Sequence, residues 1–359
     1  MMKTVDLVKT EREALETLRL LLKQIPVIER FDVQQRRSAA ADEIDIVAHV
    51  TVCGSRHTLV CEVRSSGQPR HVRTGLLQLR NYVTRRAQDA TPVFIAPYLS
   101  PGAQALCREQ HANFLDFEGN AHLVFGSVFI ERQVASKPVA ERREIRSLFK
   151  RKSAQVLRAM LSDPARAWRV AELAQVAGVS LGHVSNVRAS LLEREWATVS
   201  GDGLFLSDPD AVLDEWRDVY EPPAGKRSGF YTPLHGSAFE QAVQDRSRTR
   251  LPGGSTALAS FSAAQWLAPY GRTGMQYFYA DDAGLEQLRE VLKLSPVSKG
   301  ENVVVTVLEE PGLFRDAVEP APGIICTSPV QTYLDLAAAG ERGREAADHL
   351  RQEKLKWQK

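Results

Sequence analysis

Two groups of residues in this chain have types and spacings suited to chemistry. The first is Asp45 together with Glu62-Val63-Arg64. Alternating apolar residues at Ile44, Ile46, Ala48 and Val50, and again at Leu59, Cys61 and Val63, predict a hairpin turning near Gly54-Ser55. Such a hairpin carries one carboxylate on each of two adjacent strands, where both could share one hard cation. The same alternation would equally leave both side chains on solvent-facing positions. The second group is Gly182, His183, Ser185, Asn186 and Arg188. With Val184, Val187 and Leu191 on the buried side of a helix, these five face outward. Short polar and cationic side chains of this kind bond base edges and phosphates.

The elements around the second group are legible. A short helix from Val170 must end sharply and hand over to another packed across it. Ala174 is small enough for that approach, Gly178 permits the positive φ of the turn, and Ser180 is a natural N-cap. Upstream, Ala154, Val156, Leu157, Met160 and Leu161 supply a third helix wall. Downstream, Trp196–Val199 and Leu204–Leu206 flank Ser200-Gly201-Asp202-Gly203, which predicts a hairpin wing. Residues Val170–Arg188 resemble the helix-turn-helix of bacterial transcription regulators, here within a winged helix. The resemblance implies duplex DNA as partner, with protein contact as the alternative use. Residues 141–195 add a local net charge of +5, from 11 Lys/Arg against 6 Asp/Glu. Such a surface suits phosphates through counterion release. The candidate DNA contacts are Arg146, Lys150, Arg151, Lys152, Arg169, Ser180, His183, Ser185, Asn186 and Arg188.

Around the first group, Leu7, Leu15, Leu18, Leu22 and Ile25 predict a helix whose core face also carries Glu11. A second helix is expected over about 72–87, a buried strand at Pro92–Ala96, and a helix set up by Ser100-Pro101. Further strands over 114–130 turn at Gly119-Asn120. Asp45, then Glu62-Val63-Arg64, beside a hairpin, resembles the PD-(D/E)XK nuclease superfamily. Gln78 and Tyr82 on the following helix resemble the Q-x-x-x-Y signature of some of its branches. The resemblance implies Asp45 and Glu62 as magnesium ligands, Glu11 as a helix-borne acid, and Glu11, Asp45, Glu62, Arg64, Gln78 and Tyr82 as the catalytic set of a metal-dependent DNA endonuclease. One departure bears on that. Arg64 stands where the family has lysine, and a guanidinium is too weak an acid to exchange a proton near neutrality. An inherited nuclease fold that binds DNA or pairs subunits without a cofactor is therefore the leading expectation, with Mg²⁺ required only if the site cleaves.

At 359 residues, 43% hydrophobic and 25% charged, the chain has the length of two or three ordinary globular domains. No apolar run is long enough to span a membrane, no signal core follows Met1, and Cys53, Cys61, Cys107 and Cys326 show no metal spacing. A cytoplasmic protein is expected. The fold class expected is α/β multidomain: a restriction-endonuclease-like α/β domain over 1–132, a basic linker over 133–150, a winged helix over 151–220, and an α/β domain over 227–359. Breakers in Glu221–Lys226 separate the last two.

In that last block, strands are expected at 302–308 and 322–327, with helices near 257–266, 284–292 and 330–353. Gly253-Gly254-Ser255 reads as the start of a helix, and Asp281-Asp282 as a turn. Trp266, Tyr270, Tyr277, Phe278 and Tyr279 are either core or a partner surface. Tyr98–Glu109 with Asn113–Ala121, Gly253–Ala259, and Thr332–Leu336 with Gly340 and Glu345–Leu350 are similar to AbiEi-type antitoxins of type IV toxin–antitoxin systems. That resemblance implies an autoregulatory, antitoxin-like regulator, a cognate toxin as partner, and a C-terminal fold distantly like nucleotidyltransferases without their catalytic residues. Asp116 and Asn120 are expected to serve the turn. Paired half-sites would call for a homodimer. The readings that remain are a DNA-binding transcription regulator, a nuclease steered by the winged helix, and a protein-binding adaptor.

Overall fold

The computed structural model describes residues 2–36, 44–134, 137–245, 254–271 and 274–357. The chain divides into two compact units where three blocks were expected: Met1–Arg143 with Leu192–Glu195, and Glu144–Leu191 with Trp196–Lys359.

The first unit runs α1 (Met2–Lys23), β1 (Ile28–Gln35), β2 (Ile46–Val52), β3 (Ser55–Val63), α2 (Pro69–Arg86), β4 (Thr91–Ala96), α3 (Pro101–Glu109), β5 (Asn113–Asp116), β6 (Ala121–Phe125) and β7 (Val128–Arg132). Its seven strands form one sheet in chain order. Neighbours are antiparallel except at β3–β4 and β4–β5, the two steps crossed by α2 and α3. The hairpin joins Val52 to Ser55 through Cys53-Gly54, both at positive φ (49° and 76°), the geometry of a two-residue turn that follows strand twist.

Alternation along the strands sorts the core into two layers. Ile46, Ala48, Cys61, Val93 and Ile95 pack with Ala14, Leu18 and Leu22 of α1. Val47, Val60, Phe94 and Phe114 pack with Val72, Leu76 and Leu79 of α2 and with Ala103 and Leu106 of α3. Ser100 caps α3 by accepting from Ala103 N at 3.3 Å. Asp116 and Asn120 close their turn: the Asp116 carboxylate accepts from Asn120 N (2.9 Å) and Nδ2 (2.7 Å).

The polar stretch over 133–150, expected as a basic linker, is helical for much of its length as α4 (Val139–Leu148). Ile145, Leu148 and Phe149 are buried at helical spacing, and the surrounding charges hide that stripe from a composition-based reading. Residues 135–136 lie outside the described residues.

The second unit begins with α5 (Arg151–Ser162), α6 (Val170–Ala177), α7 (Leu181–Glu193), the hairpin β8 (Ala197–Val199) and β9 (Leu204–Leu206), and α8 (Pro209–Asp218). It continues with β10 (Gly225–Tyr231), α9 (Ser237–Asp245), β11 (Thr256–Leu258), α10 (Ser260–Leu267), β12 (Gln276–Ala280), α11 (Asp282–Val291), β13 (Ser295–Pro296), β14 (Val303–Leu308), a 3-10 turn at Pro311–Asp316, β15 (Val318–Ala321), β16 (Ile324–Cys326), α12 (Pro329–Ala337) and α13 (Glu341–Lys354). The larger sheet has the order β13-β10-β14-β12-β11-β16-β15.

Three expectations for this unit are corrected. Gly254-Ser255 leads into β11 and not into a helix, because Ser255 N is held by the Asp281 carboxylate at 2.9 Å; Gly253 lies outside the described residues. Asp281 is no loose turn residue: it caps α11 by accepting from Gly284 N at 2.7 Å. The helix expected over 330–353 is two, α12 and α13, broken at Gly340 with φ 82°. Phe278 and Tyr279 belong to the core, while Tyr270 is exposed.

Ion pairs join α5 and α8 to later elements of this unit. Arg158 of α5 pairs with Asp316 at 2.9 Å. Arg351 of α13 reaches Asp210 (2.7 Å) and Asp214 (2.5 Å) of α8. No helix among the described residues is long and apolar enough to cross a membrane.

Candidate functional site

Asp45 and Glu62 do converge. Both have the strand parity of Val47 and Val60, so they lie on the α2 side of the sheet. Glu62 is buried because α2 presses Gly75 against it: a Cβ there would stand 3.3 Å from Glu62 Cγ and 2.5 Å from the Phe94 ring. Asp45 accepts a hydrogen bond from Val63 N at 2.7 Å. Glu11 accepts one from Gln35 Nε2 at 2.7 Å, and its charge acts on both other carboxylates. Gln78 and Tyr82 line a small cavity of about 70 Å³ with Glu62 and Asn81. All six residues named for this site therefore share one neighbourhood.

Its electrostatics are unfavourable to charge. Burial, with the charges of Asp45 and Glu11 adding to it, pushes Glu62 up to about 8, against the opposing pull of Arg64. Burial first, then Glu11, raises Asp45 as well, while the Val63 amide opposes. Glu62 Oε2 is buried with no hydrogen-bond partner.

A divalent cation would ease that crowding, yet the residues do not fit one. The Arg64 guanidinium sits 2.6 Å from Glu62 Oε1, so the positive charge beside that carboxylate is already protein-borne, and the same group donates to Gln78 Oε1. Among the described residues no three His, Cys, Asp or Glu side chains are placed to share a metal ion. What the arrangement offers is a buried carboxyl, raised above its ordinary value by burial, next to a guanidinium.

In the helical part of the second unit, the turn residues stand as their types require. Gly178 adopts φ 64° and ends α6, and Ser180 Oγ accepts from His183 N at 3.3 Å at the start of α7. Val184, Val187 and Leu191 are buried. Ser180, Ser185, Asn186 and Arg169 are exposed, and Arg188 is half-buried. The hairpin gains a third partner in Trp168, which exchanges backbone hydrogen bonds with Leu204 (2.8 and 2.9 Å). Gly203 makes this possible, since a Cβ there would meet Trp168 O at 2.5 Å.

Several expected contacts are placed otherwise. The His183 ring turns back to Ser153 Oγ at 3.0 Å, so it holds α7 on α5 rather than facing outward. Lys150 pairs with Glu221 at 3.4 Å, and Arg151 with Glu310 at 3.4 Å. With Arg146 they border a cavity in the second unit, and all three are exposed, as Lys152 is. Sequence reasoning also missed Val176 and Leu181, which are 47% and 55% exposed on the α6–α7 pair. Spacing hid them: Val176 stands three residues after Leu173 and Leu181 three before Val184, so both read as members of the buried series.

A polar cluster at the core of the second unit was missed as well. Asp335 Oδ1 accepts from Tyr220 Oη (2.5 Å), Tyr279 Oη (3.0 Å) and Gln331 Nε2 (3.0 Å). Burial raises Asp335 to about 6 despite these three donors.

No protein-family model matches the chain, and no curated protein matches it. Two solved structures of EndoMS show limited likeness. The apo form is 19% identical, with 29% of this chain and 45% of that chain covered at a TM-score of 0.22. The EndoMS–dsDNA2 complex is 20% identical, with 28% and 43% covered at a TM-score of 0.20. The chain spans less than half the length of either.

Proposed function

We propose that this chain is a DNA-binding transcription regulator that reads duplex DNA with a winged helix formed by α5, α6, α7 and the β8–β9 hairpin. The observation that carries the reading is the face of α6 and α7. Ser180 caps α7, Gly178 sets the crossing, and Val176, Leu181, Ser185 and Asn186 stand exposed together with Arg169 at the start of α6. Amide and hydroxyl groups suit base edges, and exposed Leu and Val suit thymine methyl groups. Arg146, Lys152, Arg169 and Arg188 are the cations offered to phosphates. Homodimerisation on paired half-sites, an AbiEi-like antitoxin role and a cognate toxin form the fuller version of this proposal. The front unit, in this reading, is a restriction-endonuclease-like fold that has lost catalysis, and the last sheet a nucleotidyltransferase-like one.

The test is a mobility-shift assay on the DNA upstream of the chain's own reading frame, at several salt concentrations. Asn186→Ala is expected to weaken binding and relax sequence preference. Arg169→Ala is expected to weaken all duplexes alike and reduce the salt slope by about 1. Binding unchanged in both variants would refute the placement.

A second reading, a DNA nuclease steered by the winged helix, has the meeting of Glu11, Asp45, Glu62, Gln78 and Tyr82 in its favour and the Arg64 guanidinium, seated where a cation would go, against it. Plasmid incubated with Mg²⁺ or Mn²⁺ separates the two. Cleavage lost in Asp45→Ala and Glu62→Ala would establish the nuclease.

A further inference from the structure

The 3-10 turn at Pro311–Asp316 comes from the sheet part of the second unit, yet it packs against both α5 and α6. Leu313 is buried with Ala259, Tyr279 and Leu308, and Phe314 packs on that cluster. The buried Arg158 of α5 donates through Nε to both carboxylate oxygens of Asp316, at 3.0 and 2.9 Å. Gly312 lets α5 come close, since a Cβ there would stand 1.7 Å from Gln155 Nε2. The turn is therefore fastened to the sheet on one side and to α5 on the other. Helix α5 in turn holds α7 through Ser153 and His183, at 3.0 Å.

Arg315 is the member of the turn that these contacts leave out. It is exposed, and its guanidinium lies over Gly178, the residue that ends α6. A Cβ on Gly178 would stand 2.5 Å from Arg315 Cζ and 2.8 Å from Nη2. Gly178 thus meets two needs, taking φ 64° and admitting the guanidinium. The partial negative charge at the C-terminal end of α6 favours a cation at that spot. The guanidinium has no ion pair or hydrogen bond among the described residues, so its donors stay open. From Ala174 to His183 the sequence carries no acidic side chain to neutralise it. Val176, Ser180 and Leu181, exposed on the α6–α7 pair, flank the same turn.

We propose that Arg315 grips a backbone phosphate of duplex DNA beside the bases that α7 faces, so that the sheet part of this unit takes part in DNA binding. The inference rests on the winged-helix reading and adds to it a contact from outside the winged helix. A guanidinium matches phosphate oxygens in geometry and stays charged at every working pH. Phosphate contacts fix register and orientation without reading sequence. Because the turn is tied to α5, and α5 to α7, the grip is set relative to α7 before DNA arrives, which lowers the ordering cost of binding.

The test is fluorescence anisotropy of the full chain on the duplex upstream of its own reading frame and on a scrambled duplex, across a range of salt concentrations. Arg315→Gln is expected to weaken both duplexes by the same factor, roughly three- to tenfold at low salt, and to reduce the salt slope by about 1. Arg315→Lys should keep the slope. Melting temperature should change little in both variants, since Arg315 is exposed. Asn186→Ala, measured alongside, tests the underlying reading separately through the preference between the two duplexes. An unchanged slope in Arg315→Gln, with that preference lost in Asn186→Ala, overturns the phosphate grip and leaves the winged-helix reading standing. Weaker binding at an unchanged slope with a lower melting temperature also overturns it, because Arg315 would then serve only the end of α6. Failure of the parent to bind either duplex overturns both.

Discussion

Glu62 in the first unit and Asp335 in the second are both buried carboxylates with one oxygen that lacks a partner. Their surroundings differ in kind. Asp335 receives three neutral donors, from Tyr220, Tyr279 and Gln331, which oppose the effect of burial and hold it at about 6. Glu62 has two further carboxylates as neighbours, Asp45 and Glu11, which add to burial, and a single guanidinium against them; it rises to about 8. A carboxylate ringed by donors ties elements together. One crowded by its own kind is held at a cost that the rest of the fold must offset, and such groups concentrate at functional sites.

The contrast can be broken first at Asp335. Asp335→Ala removes the common acceptor of two buried tyrosines and an amide, and should destabilise the chain by roughly 2–4 kcal/mol. Asp335→Asn keeps an acceptor and should lose much less. Chemical denaturation of the two variants gives the comparison, and equal losses would mean that the network contributes nothing beyond packing.

Glu62→Gln should do the opposite and stabilise the fold, by roughly 1–3 kcal/mol at pH 8 and above. The sign follows from the raised folded value. As pH rises from 4.5, the unfolded chain ionises first, so the Glu62 charge weakens folding progressively up to about 8. The gain from the glutamine is therefore absent below 4.5, grows through that window, and stays constant above it. A gain independent of pH would show that Glu62 is not crowded by charge in the folded chain. The smallest change, Tyr279→Phe, removes one of three donors and should cost about 1 kcal/mol while raising the Asp335 pKa further. An NMR titration of the Asp335 carboxyl reads the second effect directly.

The same contrast shows how far sequence could be read. The hairpin carrying Asp45 and Glu62 was legible because apolar residues recur at every second position in Ile44–Val50 and Leu59–Val63 around Gly54-Ser55, and α3 because Ser100-Pro101 is a strong local start signal. The helix-turn-helix was legible because Gly178 and Ser180 answer backbone needs within a few residues of each other. Elements fixed by distant partners were not. Asp335 meets Tyr220 and Tyr279 from far along the chain, and no spacing announces that. His183 looked like an outward polar residue until Ser153 supplied a partner on another helix. Lys150 and Arg151 read as free cations because their carboxylates, Glu221 and Glu310, lie on the far side of α8. Helix α4 was hidden by its own charges, and β10 by its run of Gly, Lys and Arg. Local chemistry was readable; pairing across elements was not.

The measurement that bears most directly on the DNA-binding proposal is fluorescence anisotropy of a labelled upstream duplex, titrated with the parent protein and with Ser185→Ala/Asn186→Ala. Both positions are exposed on α7, so the double variant should fold as the parent does. The account predicts tighter binding of the upstream duplex than of a scrambled one by the parent, and loss of at least tenfold of that preference in the variant. Equal affinity of the parent for both duplexes, or a preference that survives the double substitution, would contradict it.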